Sequence, residues 1–212
     1  MGFGRGVGFS PPPGGAPGTL TAYADGESGH LQGIGATWDL AHDLGNGLPY
    51  EHVDPDYLDV RKRTGTDDYS IQRGISRFDT SGLPDTCTIA WAKLYICFYQ
   101  VLWIRGVHSV VVVDGSACGD NIAVGDYGTL KAATAPLAAY LDVGALALGA
   151  WTWIQLNSAG LAIISKTGKT KIGLRLDLDV DDIPATDAWE CLVSYRGSLH
   201  ATLKSYLVVN YS

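Results

Sequence analysis

The 212-residue sequence lacks an apolar run of about 18 residues, so we expect no transmembrane helix and no membrane insertion. It also lacks a surplus of positive charge, since 15 Lys+Arg stand against 22 Asp+Glu. A protein that neutralises nucleic-acid phosphates needs a basic face, so no nucleic-acid partner is predicted. The first residues contain one arginine and no apolar segment typical of a signal peptide, and we expect synthesis in a cytoplasm.

Motifs for catalysis and metal binding are equally sparse. The cysteines form no C-x-x-C pair and no histidine stands at metal-ligand spacing from them, so no zinc site is predicted; they are Cys87, Cys97, Cys118 and Cys191. Their disulfide pairing, if any, stays open. There is no G-x-S-x-G motif, and Glu190, beside Trp189, is better interpreted as a rim carboxyl than as a lone catalytic acid. We therefore expect a protein that is not an enzyme.

What the sequence does contain is typical of an all-β protein. Glycine is abundant, aromatic residues make up 10% of the chain, and only 17% of residues are charged. Short segments alternate apolar and polar residues at period two, which predicts strands at 19–24, 57–63, 69–78, 90–99, 107–114, 151–156, 171–180, 189–195 and 203–211. One short helix is predicted at 158–165, capped by Asn157. The glycine-rich passage 25–47 is interpreted as a loop. The prediction is a single jelly-roll β-sandwich domain over 19–212.

Residues 1–18 are rich in glycine and proline, with a run at Pro11, Pro12 and Pro13, and are predicted to form an extended N-terminal arm. Phe3 and Phe9 are apolar anchors on this arm. It is either an unattached tail or a segment that docks on a neighbouring subunit.

The most informative stretch, 69–98, reads as two strands joined by a polar corner at 79–85. In the second strand, alternation places Ala90, Ala92, Leu94, Ile96 and Phe98 on one face and Trp91, Lys93, Tyr95 and Tyr99 on the other. This second face is aromatic. It is covered by a loop or another subunit, or else it is a platform on which sugars stack, to which Trp38 from the glycine-rich passage could contribute.

Carboxylates crowd the end of the strand predicted at 171–180. Alternation puts Asp177, Asp179 and Asp181 on one face, where they could bind calcium, the one cofactor considered. The spacing is not that of an EF-hand. The alternative is a negatively charged strand edge that discourages aggregation.

Two blocks of the sequence resemble DNRLRE-type β-sandwich domains. The first is GISRFDTSGLP at 74–84, continuing into TIAWAKLYI at 88–96, and the second is the segment 154–176, with Ile172-Gly173-Leu174 near its end. The resemblance implies a jelly roll of the kind found in bacterial and archaeal surface proteins. Some such domains are similar to polysaccharide-binding modules, and stand-alone relatives are similar to phage or metagenomic virion proteins.

Because this chain shows no leader, enzyme domain or anchor, we expect a virion structural protein: a capsid-decoration protein or another particle or filament subunit. Its expected partners are copies of itself and other virion proteins, and its expected location is the virion. The alternative is a carbohydrate-binding, lectin-like module that binds surface polysaccharide outside the cell.

In the corner 79–85, Asp79 and Ser81 are predicted to hydrogen-bond the backbone of the turn, and Arg77 is predicted to pair across it.

Overall fold

A computed structural model describes residues 17–51, 56–63, 68–102, 106–186 and 191–212. The predicted arm with Phe3 and Phe9 lies almost wholly outside the described residues, as do Trp189 and Glu190. The domain boundary predicted at residue 19 is one residue inside the first strand, which begins at Gly18.

The described chain forms one curled sheet of twelve strands, all paired antiparallel, with a few short helices. The strands are β1 (Gly18–Tyr23), β2 (Gly29–Gly35), β3 (Leu48–Glu51), β4 (Asp56–Lys62), β5 (Tyr69–Asp79), β6 (Ile89–Leu102), β7 (Ser109–Asp114), β8 (Leu141–Asp142), β9 (Trp151–Gln155), β10 (Lys169–Leu176), β11 (Cys191–Tyr195) and β12 (Tyr206–Tyr211). The helices are α1 (Trp38–His42), α2 (Asp126–Ala132), α3 (Ser158–Ala162) and α4 (Asp177–Val180), and a 3₁₀ turn covers Val143–Ala145. The all-β, jelly-roll-like β-sandwich prediction is confirmed.

The strand order is β1-β12-β6-β11-β4-β5-β10-β7-β8, with β2 and β3 attached through β5 and β9 through β6. The long strand β6 connects two groups of strands: its first half pairs with β12 and β9, and its second half pairs with β11. One apolar core lies against the inner faces of both groups. The four strands β1, β12, β6 and β9 therefore form a separate layer with an outer face of their own.

The alternation predicted in β6 holds between two bulges. Ala92, Leu94 and Ile96 are fully buried, as the period-two pattern requires. The pairing with β12 shifts register opposite Ala90, and the pairing with β11 shifts opposite Tyr99. The first bulge explains why Ala90 is exposed, against the prediction that it shares the inner face.

The prediction of a loop at 25–47 is wrong, because this passage contains strand β2 and helix α1. Its glycines mark close approach rather than a turn: a Cβ on Gly33 would overlap the Tyr127 hydroxyl, and one on Gly35 would lie 2.5 Å from the Ala41 backbone nitrogen. Glycine here lets α1 and α2 pack directly onto the strand. The helix predicted after Asn157 is confirmed as α3, with the Asn157 side chain accepting a hydrogen bond from the Gly160 amide at 3.0 Å.

Candidate functional site

Four aromatic side chains form a row across the outer face of the β1-β12-β6-β9 layer. Tyr23 pairs with Tyr206, Tyr206 with Tyr95, and Tyr95 with Trp153, so the row follows the strand register directly. The rings of Tyr95 and Tyr206 are stacked, with centroids 4.5 Å apart and planes 6° apart. Trp151 meets Tyr206 edge-on at 4.8 Å. Residues that face each other on adjacent antiparallel strands stabilise the sheet in this way.

Positively charged side chains lie over the rings at the margins of this row. The Lys93 ammonium is 4.0 Å from the ring centre of Trp153 and 5.7 Å from that of Trp91. The Arg196 guanidinium lies 3.9 Å from the ring centre of Tyr99. The Lys204 ammonium lies 5.6 Å from the ring centre of Tyr23. All four contacts are within the range of cation–π attraction.

We call this surface the aromatic platform, and its members are Tyr23, Trp91, Lys93, Tyr95, Trp151, Trp153 and Tyr206. None of the four strands β1, β6, β9 and β12 contains an Asp or Glu, although the chain carries 22 acidic residues in all. The platform is therefore locally positive on a protein of net charge -7. Burial, followed by the neighbouring phenols of Tyr95 and Tyr23, raises the pKa of the Tyr206 hydroxyl above its ordinary value, so this group adds no negative charge.

Large parts of these side chains face solvent. The exposed fraction is 55% for Tyr23 and Trp153 and 37% for Trp91, while Tyr99 beside the platform is 46% exposed. Their neighbours along β6 and β12 point into the core. Exposed aromatic patches of this kind are typical of interaction sites.

The sequence predicted part of this surface. Trp91 and Tyr95 belong to the platform as expected, and Tyr99 adjoins it. Tyr23, Trp151, Trp153 and Tyr206 were missed, because only the pairing of distant strands brings them beside β6. The alternating Trp151-Thr152-Trp153 pattern was the signal that could have indicated a second aromatic strand.

Trp38 does not belong to the platform. Its indole is 5% exposed, its Nε1 donates to an Asp182 carboxylate oxygen at 2.7 Å, and its ring stacks on His42. The prediction that Trp38 serves an exposed binding surface is wrong for this geometry, because the residue begins helix α1 rather than an open loop.

The acidic cluster is also arranged differently from the prediction. Strand β10 ends at Leu176, and Asp177 begins helix α4, so Asp177, Asp179 and Asp181 do not share a strand face. Asp177 accepts from the Ser109 amide at 2.8 Å, Asp179 is buried, and Asp181 is exposed. Within the described ranges no group of three His, Cys, Asp or Glu side chains is placed to hold a metal ion.

Asp179 instead joins two buried arginines. Arg73 donates to it through Nε at 2.9 Å and through Nη2 at 2.6 Å, and Arg175 donates through Nε at 2.6 Å. Burial alone would raise the pKa of this carboxyl, but the two guanidinium groups outweigh it and lower the pKa to about 2. Asp179 is thus held as an anion by positive charge that is itself buried.

The remaining donors of these arginines bind backbone carbonyl groups. Arg175 Nη1 donates to three carbonyls at the end of α2, those of Leu130, Lys131 and Ala133, at 3.0–3.2 Å. Carbonyl groups in the last turn of a helix lack the usual amide partner four residues further on, and Arg175 supplies donors to these. Arg73 donates to the Tyr127 carbonyl and lies 3.9 Å from the centre of its ring. The network fastens α1, α2 and α4 to the sheet, which is a structural role.

The corner after β5 is organised largely as predicted. The Asp79 carboxylate accepts from the Ser81 amide at 3.0 Å and from its hydroxyl at 2.6 Å. Arg77 does not pair across the corner. It is fully buried and donates through Nη2 to Asp126 at 3.1 Å, because residue 77 faces the loop before α2.

The geometry defines an all-β protein with an open aromatic and cationic surface on one sheet face. No family model matches the chain, and none of the curated proteins does. A chain in the cryo-EM structure of Mud crab tombus-like virus is similar to it at 11% identity and a TM-score of 0.27, covering 100% of this chain and 90% of that one. A TM-score this low carries no argument. The DNRLRE resemblance is confirmed only as far as the β-rich fold.

In the parts of the chain that the structure describes, no helix is both long and apolar enough to span a membrane.

Proposed function

We propose that this chain is a non-enzymatic virion structural protein that acts through contacts between subunits and that the aromatic platform is its contact surface. The virion assignment comes from the sequence resemblance. The carrying observation is the in-register aromatic row on an outer sheet face, in which Tyr23 and Trp153 are exposed and the rings between them are half-buried. A subunit has to keep such a surface apolar and accessible until its partner covers it.

The arrangement of the rings favours a protein partner over a sugar. A sugar stacks on an open ring face, yet here the rings cover one another or are covered by cations. Tyr95 and Tyr206 use a face on each other, and Lys93 lies over the ring of Trp153. The platform therefore presents ring edges with charged groups between them, and aromatic residues are enriched at protein interfaces.

The buried ionisable groups support a role without catalysis. Arg73 and Arg175 share the Asp179 carboxylate, and their remaining donors bind carbonyl groups at helix ends, so these charges hold the fold together rather than position a proton for transfer. All four cysteines are buried, and burial raises the pKa of Cys118 to about 12, which suppresses the reactive thiolate.

Light scattering on size-separated protein over a range of concentrations tests this proposal. Wild type should form species larger than a monomer as concentration rises, and Trp153→Ser should weaken that association at least tenfold. Val124→Ser is the matched control, because Val124 is a similarly exposed apolar residue, at 49%, away from the platform. A wild type that stays monomeric at all concentrations contradicts the proposal.

A carbohydrate-binding module, located outside the cell, is the second candidate. The observation in its favour is that Trp91 and Trp153 keep 37% and 55% of their surfaces exposed on one open sheet face. A glycan array with wild type and Trp91→Ser decides between the two functions: saccharide binding lost in the variant supports a lectin, and an array without signal removes it.

A further inference from the structure

We propose that the aromatic platform of one copy binds a negatively charged end of a second copy, formed by α1, α4 and the residues beside them, so that copies join head to tail. This inference rests on the proposed function and names the partner of its contact surface. We call the second surface the acidic end; its members are Asp39, Leu40, Asp43, Tyr140, Asp181, Asp182 and Ile183.

Direct contacts hold the two helices of the acidic end together. Trp38 of α1 donates to Asp182 at 2.7 Å, and His42 Nε2 lies 2.9 Å from the Asp179 carbonyl oxygen of α4. Tyr140 stands nearby: after burial, which is the larger cause, the Asp181 charge raises the pKa of its phenol. The helices and this tyrosine therefore form one continuous surface.

That surface combines exposed carboxylates with exposed apolar groups. Asp39, Asp43, Asp181 and Asp182 all face solvent, and only Asp43 is drawn into a close surface pair among the described lysines and arginines, with Lys131 at 2.5 Å. Between them Leu40 is 58% exposed, Ile183 49% and Tyr140 44%. Apolar patches with a charged rim are typical of protein interfaces.

Charge complementarity selects this partner for the platform. The platform strands contain no acidic residue, and Lys93 and Lys204 supply positive charge over the platform rings. Arg196 lies over the adjoining ring of Tyr99. The acidic end supplies the opposite sign. Opposed potentials of this kind raise association rates and exclude other orientations.

The predicted N-terminal arm fits the platform less well. Residues 1–16 contain Arg5 and no Asp or Glu, so the arm has the same sign of charge as Lys93 and its neighbours. A second copy with net charge -7 is the better match to a positive surface.

The two surfaces stand on different elements of one chain. The platform lies on β1, β12, β6 and β9, whereas α1 packs on β2 and β5 and α4 on β7 and β10. A contact between different surfaces is heterologous, so each bound copy still presents one unused surface. Such contacts propagate into rings or filaments.

Charge reversal on each surface tests the proposal, with dissociation constants measured by light scattering or sedimentation. Lys93→Glu should weaken association at least tenfold, and so should the double variant Asp39→Lys, Asp181→Lys. The matched control is Asp85→Lys, Asp120→Lys, which changes net charge equally at exposed positions outside both surfaces and should stay within about twofold of wild type. Raising salt from about 0.1 M to about 1 M should weaken wild-type association as well.

Mixing the two reversed variants gives the sharpest outcome. Each should be monomeric alone, and an equimolar mixture should associate, because the native platform of one faces the native acidic end of the other. If Asp39→Lys, Asp181→Lys assembles like wild type, the acidic end is not the partner, although the proposed function survives. A monomeric wild type overturns both. Circular dichroism checks that each variant is folded. If the double charge reversal unfolds α1, the neutral double variant Asp39→Asn, Asp181→Asn replaces it and should weaken association severalfold.

Discussion

Replacing Asp179 by asparagine should destabilise the protein more than any change at an exposed acid. Asp179 is 1% exposed, and both of its neighbours Arg73 and Arg175 are fully buried. Removing its charge leaves two guanidinium groups without their anion inside the protein. Breaking a buried ion pair on one side costs about 3–5 kcal/mol. For a chain of this size about 4 kcal/mol corresponds to a fall in Tm of roughly 8–16 °C.

The dependence of the free energy of unfolding on acidic pH provides a second measurement of the contribution of Asp179. The folded-state pKa of Asp179 is lowered to about 2, below the ordinary value of 3.8. Its stabilising contribution is therefore complete above about pH 4 and is lost as the pH falls through about 2. Wild type should lose about 2 kcal/mol over this window through Asp179, and Asp179→Asn should lack that loss.

Urea unfolding followed by tryptophan fluorescence at pH 7, 4 and 2 measures both effects. Asp181→Asn is the matched control, since Asp181 lies two residues further on and faces solvent; it should change the free energy of unfolding by less than about 0.5 kcal/mol. The reasoning is refuted if Asp179→Asn is as stable as this control, or if the difference between wild type and Asp179→Asn does not change between pH 4 and 2.

Three further predictions concern single sites. Burial raises the pKa of Asp59 from 3.8 to about 7, so its contribution to stability is complete below about pH 4 and is lost as the pH rises through 7. Urea titrations should show that Asp59→Asn removes this loss of stability. If the variant keeps the pH profile of the wild type, this prediction is wrong. Gly33→Ala would push a methyl group into the Tyr127 hydroxyl and should lower stability by about 1–3 kcal/mol in thermal unfolding, whereas a neutral effect would show that the strand can shift. Asp79→Ala removes both bonds to Ser81 and should cost about 1–2 kcal/mol without changing association; a stable but non-associating variant would refute the structural role of the corner.

Strand positions were accessible from the sequence because alternation is a local property. The strands predicted at 57–63, 69–78 and 151–156 appear within one or two residues as β4, β5 and β9. The same rule failed at 171–180, where leucines alternate with charged residues through Asp179. There Arg175 of β10 and Asp179 of α4 are buried rather than solvated. They are stabilised by each other and by groups distant in the sequence, the carbonyls of α2 and the guanidinium of Arg73.

The site was predictable only strand by strand. Trp91 and Tyr95 could be assigned to one face from their own spacing, but their neighbours come from strands that are distant in the sequence: Tyr95 pairs with Tyr206, which in turn pairs with Tyr23. Register between distant strands is set by the whole sheet, and no short motif encodes it. The glycine-rich passage failed for a related reason: Gly33 makes room for a hydroxyl of α2, which the passage itself does not reveal.

The two bulges of β6 limit how the aromatic platform can change in evolution. From Trp91 to Phe98 the strand runs without interruption between them, so core and platform side chains occupy strictly alternate codons. Substitution at an outer codon can alter partner choice while leaving the interior alone. Insertion or deletion of one codon there would instead turn outer side chains such as Lys93 and Tyr95 inward, and core side chains such as Leu94 outward. Partner preference can therefore drift by point mutation, whereas changes in length are confined to the bulges and the connecting loops.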